Sequence, residues 1–430
     1  MEISRFTIKC TVIVWVLMTV SYFYSPVGNR VGSDGNYYYH YLVSLMEDGD
    51  VDFSNNYSEK NDQYRFRNIQ VPTTRMMPNT FYIGPALIWA VPYLSIKSVM
   101  KLMGQWQTDE SPWSPTVQSF VMYSSVCVGV FAFVLLTGLG RRWFDERAVV
   151  LGAALGIFGT NIIWYIVNEP SMSHIYDWGA LLAAVFFLQR YTDHMRTGDL
   201  VASGASFGFS VCMRLQNVAS VLIASLFLWM LLRRMKVANG VRAKSFLIWA
   251  GLVIIFSLPH FATFKQIYGD AFAQAYRFVD PNPDIFFMLS RPMMSEVLFS
   301  WHNGMFAHHP VWFLGVLGLL ISVWQKKASS LWLFLVLIFA VQLYLNSCVI
   351  DWWSGHSFGQ RRMIGVSILL LIGLMGMLAQ LFKTRRGMQL AGVIVASAIL
   401  WNVWLANKFQ NHWEKNVSHN LLKEIVRDFE

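Results

Sequence analysis

Apolar runs close to membrane-spanning length recur from one end of this chain to the other, and that repetition constrains the fold more than any motif does. A spanning helix needs about 20 mostly apolar residues. Runs of this kind lie at Thr11–Tyr24, Thr116–Leu139, Ala148–Val167, Ile175–Leu188, Phe246–Phe264, Val311–Trp324, Leu331–Cys348, Met363–Phe382 and Met388–Ala406. The stretch Leu200–Leu232 is too long for one helix. The polar run Arg214-Leu215-Gln216-Asn217 divides it, so two short helices meeting at Arg214 are expected. Composition agrees: 55% of the 430 residues are hydrophobic and 14% are charged, where soluble domains carry about 25% charged residues. That excludes a soluble enzyme, a disordered chain and a nucleic-acid-binding domain. The expected fold is an all-α polytopic membrane protein of about eleven transmembrane helices.

The formal charge of +9 reads first as a topology signal. The first run resembles a signal peptide in length, but no small-residue cleavage site follows it, so it is read as a membrane anchor. The segment Thr80–Met103 is apolar enough to span, yet Pro85 and Pro92 interrupt it and Lys97 and Lys101 sit near its end. If it does not cross and the N-terminus is cytoplasmic, the basic short loops all fall inside. These are Arg141-Arg142 with Arg147, Arg190 with Arg196, Arg233-Arg234 through Lys244, Lys326-Lys327, and Lys383 to Arg386. If it crosses, all of them move outside, against the orientation bias of membrane proteins. A pair of short re-entrant or interface-lying helices is therefore expected there. The domain reading is a membrane unit over 1–407, containing a first external loop over 26–115, and a short external tail over 408–430.

This topology places an unequal share of ionisable groups on the external side, among them Asp34, Glu169, His174, His302, His308, His309, Asp351, His356, Arg361 and Arg362. Charges at a membrane boundary are costly unless paired, so a one-sided gathering suggests a site. In Gly32-Ser33-Asp34-Gly35-Asn36 an acid between two glycines precedes a helix-like run, which suits a general base or, equally, a helix N-cap. In Asn168-Glu169-Pro170-Ser171-Met172-Ser173-His174 a proline ends one helix and a serine can cap the next. In Phe299-Ser300-Trp301-His302-Asn303-Gly304, leading to His308-His309-Pro310, adjacent histidines cannot both point at one centre from a regular helix, so the metal signal is weak. In Asp351-Trp352-Trp353-Ser354-Gly355-His356-Ser357-Phe358-Gly359-Gln360-Arg361-Arg362, paired arginines run against the positive-inside trend. Their guanidinium groups suit bidentate contact with phosphate, on a donor or on an anionic lipid headgroup. Cys10, Cys127, Cys212 and Cys348 are too scattered for a zinc site or disulfide framework. The glycosylation tripeptides at Asn56 and Asn416 are three-residue matches of little weight.

In this order and on one face, these segments resemble the GT-C superfamily of polyprenyl-phosphate-sugar-dependent glycosyltransferases, nearest to protein O-mannosyltransferases and aminoarabinose transferases. The resemblance covers most of the chain and implies a GT-C-like fold in the inner (plasma) membrane. It implies transfer of a hexosyl or pentosyl group on the external or periplasmic face, usually with inversion, from a polyprenyl-phosphate carrier to a glycan, lipid or protein acceptor. The family's first-loop acid maps onto Asp34. It is followed here by Gly35, where many relatives carry a second acid. With that chemistry, Asp34 takes or orients the acceptor proton, while Arg361, Arg362, His356 and Arg75 stabilise the leaving phosphate. Glu169, His174 and His302 are candidate substrate contacts. No cofactor is required; a divalent cation is compatible with the chemistry, although no metal ligands are identified. The competing reading is a transporter or lipid flippase, motivated by the helix breaks at Pro85–Pro92 and Arg214–Asn217. A polymerase or ligase of lipid-linked glycans shares the same outline.

Overall fold

The computed structural model describes residues 4–25, 29–106, 111–279, 287–325 and 329–414. Lys326, Lys327, Asn416 and most of the tail lie outside them. Among the described residues the chain is helical, in the order α1 (Arg5–Tyr24), α2 (Gly35–Val43), α3 (Gly84–Leu102), α4 (Pro115–Met122), α5 (Ser124–Gly140), α6 (Glu146–Phe158), α7 (Ile162–Val167) and α8 (Ser173–His194). There follow α9 (Thr197–Met213), α10 (Asn217–Arg234), α11 (Asn239–Tyr268), α12 (Met294–Phe299), α13 (Met305–His308), α14 (Val311–Trp324), α15 (Ser330–Ser347), α16 (Ile368–Leu381) and α17 (Arg385–Glu414).

Among the described residues six spans are long and apolar enough to cross a membrane: α1, α4 with α5, α10, α11, α15 and α17 through Asn411. The other apolar helices of the expected eleven are shorter or carry more charge. Outward-facing apolar side chains such as Leu226, Met230, Ile254, Leu333 and Leu400 stay exposed, as a lipid-facing surface requires. The protein is a multi-pass membrane protein. Its interior is drawn tight by small residues, since water supplies no driving force between helices in lipid. A Cβ at Gly318 or Gly373 would overlap the backbone of the opposing helix, which is how α14 and α16 pack along one another.

Local chemistry accounts for the helix ends. Ser4 Oγ accepts from Thr7 N at 3.1 Å to open α1, and Asp145 Oδ1 accepts from Ala148 N at 3.0 Å to open α6, satisfying donors that a helix start leaves free. The run Leu200–Leu232 divides at Arg214, whose extended backbone ends α9. The run Ala148–Val167, read as one helix, breaks into α6 and α7 at Gly159-Thr160-Asn161.

The Thr80–Met103 segment forms one continuous helix, α3, rather than the expected pair. Pro85 sits in its first turn, where no intrahelical N–H is needed. Pro92 forfeits only the bond to the Ile88 carbonyl, and neighbouring Trp89 and Tyr93 are fully buried and anchor the helix across that point. The last helix also outruns its expected end. α17 continues through Glu414, so residues 408–414 are helix and not tail, and Phe409 is buried against Trp164 and Phe358.

The bundle has two chemically different ends. At one, Arg141 pairs with Glu146, which also meets Ser4 and Thr7; Arg142 pairs with Asp193, and Arg190 with Asp199 at 3.1 Å. At the other end of α1, about 30 Å away for a 20-residue helix, Ser25 Oγ donates to Asn168 Oδ1 at 2.6 Å. This second end carries Asp34 and the arginines.

Candidate active site

Asp34 stands immediately before α2 and is 8% exposed. Its side chain does not cap that helix, so the N-cap reading of the sequence gives way to one in which the carboxylate is committed elsewhere. Tyr64 donates its phenol to Asp34 Oδ1 at 2.6 Å, and Arg361 Nη2 stands 3.1 Å from Oδ2. Tyr64 is 47% exposed as a residue, but the shielding of its phenol from water and the adjacent carboxylate hold that phenol above its usual range, so it is a hydrogen-bond donor at neutral pH. Gly35 explains why the acid is single. A Cβ at this position would overlap the Ser171 side chain, so the close approach of α2 to the 168–172 turn demands glycine there. Glu47, the nearest acid further along, is held by Lys97 at 2.7 Å and by Tyr93.

The 351–362 loop aims the arginines by folding on itself. Ser354 donates to Gln360 Oε1, and Gln360 Nε2 donates to the Trp352 carbonyl at 3.0 Å. Ser354 and Gly355 adopt φ of 69° and 65°, the left-handed conformation that favours glycine and makes Ser354 a strained position. Asn303 donates to the Trp353 carbonyl at 3.0 Å, and Tyr165 Oη accepts from Phe358 N at 3.1 Å. Arg362 Nη2 donates to both carboxylate oxygens of Asp351, at 2.7 and 2.8 Å, and Nη1 to its main-chain carbonyl at 2.9 Å. The expected pair therefore divides, with Arg361 on Asp34 and Arg362 on Asp351. Each guanidinium is held in place by a carboxylate that a phosphate could replace.

Asp34, Arg361, Arg362, His356 and Asp351 line one cavity of about 470 Å³, together with Tyr64, Phe66, Phe81 and Tyr276. Glu169 lies beside it. Its Oε2 is buried and unbonded among the described residues, and burial raises its carboxyl to about 7 despite the opposing pull of Arg361. His174 instead turns toward the α9–α10 break, where Arg214 Nη1 lies 2.8 Å from its Nδ1. His302 stacks on Trp353, with ring centroids 5.3 Å apart. Arg75 is exposed on the loop that binds the C-terminal end of α11 through Thr73 and Thr74, and it does not line the cavity. His308 and His309 are buried with ring centroids 6.4 Å apart, and burial lowers both to about 3.

Sequence reasoning missed Tyr64, Tyr276 and the reach of Arg214. Tyr64 sits in an irregular loop and Tyr276 in a single 3-10 turn, Ala275–Phe278, neither long enough to show a periodicity, while Arg214 carried a signal as a charge inside an apolar run. As for a metal, no three His, Cys, Asp or Glu side chains come together among the described residues, and both Asp34 oxygens are taken.

No protein-family model and no curated protein matches the chain. Its fold is similar to that of solved structures of the oligosaccharyltransferase AglB from the archaeon Archaeoglobus fulgidus. One, in complex with an inhibitory peptide and a dolichol-phosphate, has a TM-score of 0.55 at 12% identity over 93% of this chain and 55% of that one. A second, tethered to an acceptor peptide containing the NVT sequon, gives 0.57 at 13% identity over 92% and 54%. A third, a complex with Zn and sulfate, gives 0.53 at 14% identity over 91% and 52%. The chain thus spans just over half the length of these structures. It is a multi-pass membrane protein whose fold is similar to that of the archaeal oligosaccharyltransferase.

Proposed function

We propose that the chain is a membrane glycosyltransferase that moves a hexosyl or pentosyl group from a polyprenyl-phosphate carrier to an acceptor, with inversion, on the external face of the cell membrane. The observation that carries this reading is the Asp34–Arg361 pair at 3.1 Å in a cavity that also holds Arg362. Two acids, Asp34 and Asp351, and two cations suited to phosphate face a single space. The archaeal structure bound to dolichol-phosphate supports a lipid-phosphate donor for the same fold.

The chemistry follows from charge. Breaking the bond between the sugar and its phosphate builds positive charge on the ring and negative charge on the phosphate. Arg361 and Arg362 exchange carboxylates for phosphate oxygens and stabilise the leaving group as it forms. Arg361 thereby releases Asp34, and an acceptor hydroxyl takes the place of the Tyr64 phenol on it. The acceptor oxygen bonds to the anomeric carbon, the carbon–phosphate oxygen bond breaks, and Asp34 takes the proton. The leaving phosphate needs no protonating acid. The transporter reading rested on broken helices, but Arg214 at one such break contacts His174 next to the 168–172 turn, which favours a role at this same site.

Sugar transfer from polyprenyl-phosphate donors should be measured in membranes carrying wild type, Asp34→Asn and Arg361→Ala. Transfer by wild type and its loss in Asp34→Asn are expected. Undiminished transfer by Asp34→Asn would remove that residue from the mechanism, and transbilayer movement of the lipid without any transfer would replace the reading with transport.

A further inference from the structure

Ser33 lines two cavities: the one containing Asp34 and a larger one of about 1090 Å³. The consecutive residues Gln63 and Tyr64 likewise face one each. A partition made of Ser33 and the Gln63-Tyr64 strip therefore separates the larger groove from the reacting acid. The groove is lined by neutral hydrogen-bonding side chains, chiefly Asn36, Asn56, Gln63 and Gln105, with Trp113 beside them. Glu59 and Lys60, opposite in sign, are its charged members among the described residues.

Asn56 supplies an independent observation. It is only 9% exposed, and its Oδ1 is buried with no hydrogen-bond donor among the described residues. Buried amide oxygens are rarely left this way. Each primary amide offers two donors and an acceptor, which suits the adjacent hydroxyls of a sugar, and an indole face suits the sugar's C–H groups. An extended peptide would seek a strand edge to pair its backbone, and no β-strand is formed among the described residues. Among the described residues the charges of the lining, Glu59 and Lys60, cancel, which disfavours an anionic ligand.

We propose that this groove binds the acceptor and that the acceptor is an uncharged saccharide, laid so that one hydroxyl reaches Asp34 past Ser33. The inference rests on the glycosyltransferase reading. In the reaction the saccharide oxygen bonds to the donor's anomeric carbon as the bond to phosphate breaks; its proton passes to Asp34 and the electron pair leaves with the phosphate.

The test uses the full chain in lipid nanodiscs. It is titrated separately with neutral hexasaccharides of glucose, mannose and N-acetylglucosamine, with a peptide containing Asn-Val-Thr, and with polyprenyl phosphate. A hexasaccharide should bind, and Asn36→Ala/Gln63→Ala/Gln105→Ala should weaken it at least tenfold. Gln105→Ala alone, at an exposed position, should weaken it severalfold, so the result survives misfolding of the triple variant. The proposal fails if none of the saccharides binds, if the variants bind them unchanged, or if the peptide is the ligand whose binding the variants weaken. Polyprenyl phosphate binding and its response to Arg361→Ala report on the donor reading separately from the groove.

Discussion

Asp34 and Arg361 are 327 residues apart in sequence and meet at 3.1 Å, each with its side chain largely buried. The pair neutralises both charges, and on the proposed function a donor phosphate would compete with Asp34 for the guanidinium. Asp34→Asn should therefore separate binding from chemistry. It removes the proposed general base, an effect of about 10²–10⁴ in rate, while leaving Arg361 free for phosphate. We expect kcat to fall at least a hundredfold while polyprenyl phosphate binds as tightly as in wild type or more tightly. Arg361→Ala should do the reverse and raise the donor KM. Donor affinity lost in Asp34→Asn would show that the pair is needed to build the site.

Gly35 permits the close approach of α2 to Ser171. Gly35→Ala places a Cβ inside the Ser171 side chain, and overpacking of this kind typically costs about 1–3 kcal/mol. The variant should lose thermal stability and transfer activity together. Adding Ser171→Gly removes both the hydroxyl and the Cβ in the way, so the double variant should recover most of both. An equally damaged double variant would mean that the glycine serves the backbone of the 32–35 turn instead.

The pattern of what could be read from sequence follows from this geometry. Asp34, Arg361 and the Arg214 break were legible because a charge at the edge of an apolar run has few places to go in a membrane. The division of labour between Arg361 and Arg362 was not, because it is set by the Ser354–Gln360 tie and by left-handed residues that no periodicity reports. Tyr64 was silent because its role depends on a loop folding back over α2. Pro92 misled the reading of α3, since burial of the flanking Trp89 and Tyr93 outweighs the one hydrogen bond that the proline removes. The Gly35 departure from the family pattern was visible, but its reason lies 136 positions away at Ser171.

Glu169 makes stability depend on pH. Burial raises its carboxyl from the ordinary 4.5 to about 7, so the folded chain holds this proton where the unfolded chain has released it. The contribution is fully present below about pH 4.5, declines as pH rises, and is gone above about 7. In Glu169→Gln no such proton is held. The Tm of wild type in nanodiscs should fall more steeply than that of Glu169→Gln between pH 5 and 8, the curves converging at the acidic end. Parallel curves across that range would place the titration elsewhere.

Arg214 sets stability against function. It is 8% exposed, donates to His174 and to Gln216 at 2.8 and 3.1 Å, and forms no ion pair among the described residues. Asp177, the acid whose field offsets it, is itself bound by Asn217 at 2.5 Å, and Arg362 is near enough to repel it. A buried cation without a carboxylate on it is expensive, and replacing such a group by an apolar side chain of similar length often stabilises a protein. The proposed phosphate site gives a reason to keep it, because on that reading Arg214 adds its field to those of Arg361 and Arg362 on an arriving anion. Arg214→Met should raise the Tm of the donor-free protein and weaken binding of polyprenyl phosphate about tenfold, a loss of about 1.4 kcal/mol. His174→Ala should lower the Tm instead, because it strips Arg214 of its hydrogen-bond acceptor. Raised Tm with undiminished donor affinity in Arg214→Met would reduce Arg214 to a structural feature of the α9–α10 break.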